Sequence, residues 1–194
     1  MKQIFLLAPL ALLAACNSQP APNTMPDDAD ALPVPPVEQK ASAPAPETAT
    51  PGPNVLRLEG LGDLRIGQPV PDGSSWAVRG AQASDACLVL SSPDYDGVYA
   101  IVEGGKVRRI SVGQRSTVKL VEGIGAGATE AEVKQYFSFP ATPHKYVDAP
   151  GKYLTAPNAD SGDPALRFEI GSDGTVSQIH VGTMPVLGYV EGCA

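Results

Sequence analysis

Few residues in this chain carry reactive chemistry. The 194 residues include two histidines, His144 and His180, and three cysteines, Cys16, Cys87 and Cys193. His180 stands beside Ile179 and Val181 in an alternating run, on the face expected to carry Val176 and Gln178, and reads as a sheet-face residue and not as a base. The two histidines, even joined by a carboxylate such as Asp163, lack the ligand spacing of a metal site. Neither G-x-S-x-G, H-E-x-x-H, a P-loop nor a dinucleotide fingerprint occurs. "PDYDGV" (93–98) and "NADSGD" (158–163) gather Asp and Gly without the ligand spacing of an EF-hand, and read as turns held by Asx hydrogen bonds. This inventory points away from an enzyme and from any cofactor or metal.

Recognition chemistry is better represented. "PHKYVDAPGKYL" (143–154) gathers His144, Lys145, Tyr146, Lys152 and Tyr153 in a chain with six tyrosines. Tyrosine beside cationic groups suits a binding surface, because a rigid amphipathic ring covers area at low entropic cost. The competing expectation is that Tyr153 is core and Tyr146 covers a sheet edge. Trp76 is the one tryptophan and a further candidate stacking ring. Lys106, Arg108, Arg109, Arg115 and Lys119 form a basic cluster, either a solvated sheet face or a docking patch for an acidic partner. Past residue 53 the chain has twelve Lys and Arg against sixteen Asp and Glu. That balance argues against nucleic acid.

The elements that must position these residues are largely strands. "VYAIVEGGKVRRISVG" (98–113) and "LRFEIGSDGTVSQIHVG" (166–182) each place an apolar strand before a Gly-containing turn and an alternating strand after it. Both return strands read V-x-x-I-x-V-G, and Gly104-Gly105 and Asp173-Gly174 suit tight hairpin turns. "CLVLSS" (87–92) and "YLTAP" (153–157) are corresponding strands ahead of each hairpin. Thr129 and Glu132 form a capping box for a short helix, "EAEVKQYF", that Pro140 stops. In the first half, Pro69, Pro71 and Gly73 leave one or two helical turns around "SSWAVRG", with Trp76 as anchor. The expected fold is α+β, with two similar halves (about 57–113 and 120–182), each a helical lead-in followed by an antiparallel meander, and a closing strand at 186–193.

The N-terminus sets the compartment. "MKQIFLLAPLALLAAC" has a lysine, an apolar run too short for a permanent span, and small residues before Cys16, which is the pattern of a signal peptide over 1–15. Leu13, Ala14, Ala15 and Cys16 resemble the lipobox of bacterial lipoproteins, which implies a diacylglycerol-modified Cys16 as the mature first residue and a lipid anchor in the cell envelope. The absence of Asp after that cysteine implies the outer membrane, with the domain facing the periplasm or the cell surface. Residues 16–53 lack aromatic side chains and hold ten of the twenty prolines, the composition of a disordered polyproline-rich tether that could reach about 100 Å. With Cys16 taken by lipid, Cys87 and Cys193 remain as a pair in an oxidising compartment and are expected to be bonded.

The tandem pattern in 54–194 resembles β-lactamase inhibitory protein and the SmpA/OmlA small outer-membrane lipoproteins, and "YVEGC" and "PHKY" look like uncharacterised envelope proteins, some labelled lectins. In the former architecture two sheets join to present one surface to a partner. The resemblance implies a fold and not a function; with so thin a reactive inventory, the chain reads as a non-enzymatic protein-binding lipoprotein without a cofactor, partnered by the membrane through its lipid and by another envelope protein. The alternative is a glycan-binding lipoprotein using Trp76, Tyr146 and Tyr153, and a hydrolase is a third, weaker reading.

Overall fold

The structure is a computed structural model describing residues 52, 54–82 and 84–193. The signal peptide, Cys16 and all of the tether except Gly52 lie outside these residues. Among the described residues no helix is long and apolar enough to cross a membrane.

Alternating apolar residues make strands here, and the turns between them sit where glycine allows positive φ. The chain opens with short pieces, β1 (Val55–Leu56), β2 (Gly60–Leu61), β3 (Leu64–Arg65) and β4 (Ala77–Val78). It continues through β5 (Cys87–Ser91), β6 (Val98–Glu103), β7 (Lys106–Gly113) and β8 (Lys119–Leu120). After a helix, α1 (Glu130–Tyr136), come β9 (Ala141–Pro143), β10 (Lys152–Thr155), β11 (Ala165–Ile170) and β12 (Val176–Gly182). Eight strands form one antiparallel sheet in the order β4-β5-β6-β7-β12-β11-β10-β9. Two meanders thus meet where β7 pairs with β12. In the β6–β7 turn, Gly104 and Gly105 take φ of 60° and 72°, the mirror-image conformation that matches strand twist.

The V-x-x-I-x-V-G strands contain the bend that shapes the sheet. A three-residue step from Val to Ile breaks the period of two, so a regular ladder would send Val107 and Ile110 to opposite faces. Both are fully buried in one core, as are Val176 and Ile179. A β-bulge reconciles pattern and packing in each strand. Ile101 pairs with Arg109 while Val102 pairs with Val107, leaving Arg108 as the extra residue. Glu169 pairs with Gln178 while Ile170 pairs with Val176, leaving Ser177. The expected face of His180 is corrected accordingly: it lies with Gln178, and Val176 lies on the other face.

Gly182 ends the second motif because β7 approaches closely. A Cβ there would lie 2.3 Å from the Arg108 carbonyl oxygen, whereas one at Gly113 would meet only the Gly97 oxygen at 3.4 Å. Gly182→Ala is therefore expected to cost about 1–3 kcal/mol as an overpacked contact, with Gly113→Ala near neutral. Urea midpoints of the two variants check this.

One sheet face packs under α1. Thr129 caps it in a full capping box with Glu132, and it buries Val133. Phe137 and Phe139 pack on Phe168, ring centroids 5.3 and 6.1 Å away, in a core shared with Leu56, Leu61, Leu64, Ile110, Leu154 and Ile179. The described residues are mostly β with one α-helix, so the expected α+β class fits only loosely. The helical lead-in expected around "SSWAVRG" is absent: Pro69 and Pro71 remove donors, Gly73 turns at φ 74°, and the chain extends as β4, where Arg79 N–H donates to Val89 O at 2.8 Å.

The closing strand expected at 186–193 is also corrected. Val186–Gly188 forms a 3-10 turn, whose Val186 carbonyl accepts from Tyr189 N–H and from the Arg109 guanidinium and pairs with no strand. Cys87 and Cys193 are disulfide-bonded, with Cα atoms 5.7 Å apart. The bond ties residues 183–193 as a strap across the sheet face opposite α1.

Candidate functional site

The strap-side face carries the polar members of each alternating strand. One cross-strand row runs Ser91, Tyr99, Ser111, His180, Arg167, Thr155. The adjacent row contains Tyr153, Glu169 and Gln178. Arg109, Ser111, Arg167, Glu169 and His180 are all buried, so alternation that ordinarily marks a solvated face here marks a covered one.

At its centre is a connected chain of groups. Burial pushes the His180 imidazole well below the ordinary histidine value; the hydrogen bond from Glu169 opposes this, and Arg109 and Arg167 reinforce it. Burial pushes the Glu169 carboxyl up, but the hydrogen bonds it accepts from His180 and His144 outweigh it and hold the group below its usual range. His180 is therefore neutral beside an ionised Glu169. Its Nε2–H donates to Glu169 Oε1 at 3.1 Å, and its Nδ1 accepts the Ser111 hydroxyl at 2.8 Å. The other Glu169 oxygen faces His144 Nε2 at 3.5 Å.

Serine, imidazole and carboxylate in series have the connectivity of an activated nucleophile. Access is what they lack. Ser111 is 0% exposed and is flanked by Tyr99 on β6 and His180 on β12, so strand ladders run along both sides of it. In this arrangement the series locks the sheet.

It also makes the domain acid-sensitive, and the sign follows from both shifts. Each group binds its proton less readily folded than unfolded, so its contribution is present above its unfolded value and lost as pH falls. Stability should fall first below about pH 6.5, as the unfolded chain gains a proton that folded His180 refuses, at up to about 1.4 kcal/mol per pH unit. A second fall, from Glu169, should follow below about pH 4.5. Urea unfolding between pH 7.5 and 5 tests the first stage, and His180→Gln should flatten it.

Around this centre, Arg109 holds the strap. Its guanidinium donates to the carbonyl groups of Val186, at 3.2 Å, and Tyr189, and to the Tyr99 hydroxyl at 3.2 Å. Tyr189 Oη donates to Glu103 at 3.1 Å. The basic cluster expected from the sequence is thereby divided, since Arg109 is 1% exposed and no docking patch can include it.

The 143–154 segment supplies the other edge. His144 stacks on Tyr153 at 4.4 Å, and Arg167 lies over the Tyr153 ring with its Cζ 3.8 Å from the ring centroid. Tyr153 is 4% exposed; it is core, as the competing expectation had it. Lys145 N–H donates to the Tyr153 hydroxyl at 3.3 Å, while the Lys145 ammonium lies 4.9 Å from the exposed Tyr146 ring. Tyr146 Oη donates to Glu191 of the strap. Lys152 pairs with Glu130 of α1 at 3.1 Å. The structure thus brings His144, Lys145, Tyr146 and Tyr153 together. Trp76 does not join them: it is 6% exposed and stacks on Tyr95 at 5.6 Å.

The open part of this face is a groove of about 600 Å³ at the first-half end of the polar rows, floored by Ser91, Tyr99 and Gln178 and rimmed by Arg79 and Arg115. Tyr99 Oη donates to Gln178 Oε1 at 3.3 Å across its floor. Among the described residues no group of three or more His, Cys, Asp or Glu is placed to hold a metal ion. The fold and face together define a mostly β, disulfide-closed domain with one sealed polar network and one open polar groove. No family model, curated protein or solved structure matches the chain.

Sequence reasoning passed over Ser111, Glu169 and Arg167, and named Arg109 only within a basic cluster and Gln178 only as a neighbour of His180. The available signal was a polar residue between two apolar ones, as in "RISV", "RFEI" and "QIHV". That signal fixes a shared face but not its covering.

Proposed function

We propose that this chain is a cell-envelope lipoprotein, anchored by lipid at Cys16, whose domain is a non-enzymatic module that binds another envelope protein. The observation that carries this reading is the division of one sheet face: its Ser–His–Glu series is sealed, while the groove beside it leaves hydrogen-bonding and cationic groups open. The lipobox residues and the Cys87–Cys193 bond support an oxidising, membrane-proximal setting. A saccharide ligand is the alternative; of its three proposed stacking rings, Trp76 and Tyr153 are buried and Tyr146 is exposed.

The domain is also read as two similar halves. Gly67 N–H donates to Val107 O and Val107 N–H to Gln68 O; Gly127 N–H donates to Val176 O and Val176 N–H to Ala128 O. Both V-x-x-I-x-V-G motifs are followed, after seven intervening residues, by V-E-G, at Val121-Glu122-Gly123 and Val190-Glu191-Gly192.

The test is affinity capture by the mature chain in detergent from a solubilised envelope extract. A stoichiometric protein retained through moderate salt is the expected result; saccharide alone, or nothing, overturns the reading. For the anchor, Cys16→Ser should abolish the acyl mass and release the chain from the membrane fraction. A Cys16→Ser chain that kept both would remove the lipid from the proposal.

A further inference from the structure

The groove has a filled counterpart in the same molecule. Outward from the Ser111–His180 pair, the β7–β12 register places Arg109 opposite Gly182 on one side and Gln178 opposite Gly113 on the other. Ala165 pairs with Gly182, and Gly97 accepts from Gly113 at 2.9 Å. On the Arg109 side the chain occupies the space itself. The Val186–Gly188 turn sits there, Arg109 donates to the carbonyl groups of Val186 and Tyr189, and Leu187, 0% exposed, packs against Ala156, Ala159 and Ala165. On the Gln178 side the equivalent space is the open groove.

We propose that this groove binds a peptide segment of the partner protein, one that brings an acidic side chain, seated as the strap is seated in the other half. The inference rests on reading the domain as a two-half interaction module. Its chemistry follows from four observations. Gln178 Oε1 is taken by Tyr99, and among the described residues its amide nitrogen has no partner, so a donor stands where Arg109 supplies donors to the strap. The groove has Ser91 and Gln178 in place of an alanine pocket for Leu187, so its occupant is polar. Arg79 and Arg115 are exposed at the rim, and neither is in an ion pair among the described residues. Beneath the floor, Arg109 backs Tyr99, and buried Arg109 and Arg167 outnumber the one buried carboxylate, Glu169. The groove's own lining carries Arg79 and Arg115 against one carboxylate, Asp96, so the balance of charge favours an anion.

A saccharide fits less well, because it gains most from a free aromatic face. Tyr95 is stacked on Trp76, and Tyr99 lies under Arg109, whose Cζ is 5.8 Å from the ring centroid, and packs beside Ile101 and Val186.

The experiment screens the mature lipidated chain, in detergent micelles, against an immobilised library of N-acetylated heptapeptide amides, with uronic-acid oligosaccharides as a parallel set. Peptides containing Asp or Glu should be selected, and selection should weaken as salt rises. Affinity should drop about tenfold or more in Arg79→Gln/Arg115→Gln and in Gln178→Met. The first variant alters only exposed rim residues and should melt with the wild type. No acidic selection, selection unchanged in both variants, or binding of oligosaccharides in place of peptides overturns the proposal. Envelope capture separates it from the reading beneath it. A partner still retained by the Arg79→Gln/Arg115→Gln chain removes the groove and leaves the module. Acidic peptides selected by a chain that captures no envelope protein leave the groove and remove the module.

Discussion

Breaking the Cys87–Cys193 bond should cost the domain about 4 to 5 kcal/mol, because it closes a loop of 106 residues and so restricts the unfolded chain. For a domain of this size that is a fall in Tm of roughly 10 to 20 °C, measured on Cys87→Ala/Cys193→Ala against the oxidised wild type. The native state adds a local expectation. The strap is held at its end by the disulfide and along its length by Arg109, Leu187 and the Tyr189–Glu103 and Tyr146–Glu191 hydrogen bonds. Amide exchange should therefore quicken most near Gly192 and less at Leu187, whose N–H donates to Thr183 O at 2.9 Å. A loss below about 1 kcal/mol would mean that the unfolded chain is already compact enough for the cross-link to remove little entropy.

Arg109→Leu is the second large effect, at about 2–4 kcal/mol. The substitution leaves the Tyr189 carbonyl without its donor and takes one donor each from the Val186 carbonyl, which keeps the Tyr189 N–H, and from the Tyr99 hydroxyl, which keeps Gln178; a buried orphan costs about 1–3 kcal/mol. Removing a buried charge that has no carboxylate partner offsets part of that sum. Arg109→Lys should fall between, since one ammonium cannot span both carbonyl groups and the hydroxyl as a planar fork does. Because Arg109 and the disulfide restrain the same strap, the triple variant should lose less than the sum of the two effects. Strict additivity would show that the strap is not a shared element.

The hairpins, the capping box and the cysteine pair were legible because each is written in neighbouring residues or in simple chemistry. Gly104-Gly105 permits a tight turn at two adjacent positions, Thr129 and Glu132 are one helical turn apart, and two thiols in an oxidising compartment have each other. The bulges were legible too, as the Val107-to-Ile110 and Val176-to-Ile179 spacing, but a reading that assumed unbroken alternation put His180 on Val176's face. The first-half helix failed for a local reason also: Pro69, Pro71 and Gly73 disfavour a helix more strongly than the parallel with the second half favoured one.

The sequence by itself determined which side chains share a face, since alternation in a strand is a property of the backbone. It left open which face is covered and by what. That choice was made by the pairing of β7 with β12, which unites the two meanders, and by a strap whose carbonyl groups reach Arg109 from 77 residues away at Val186. Local periodicity cannot encode a contact at that separation. Only the closed chain therefore turned a polar stripe into a buried Ser–His–Glu network at one end and an open, cation-rimmed groove at the other.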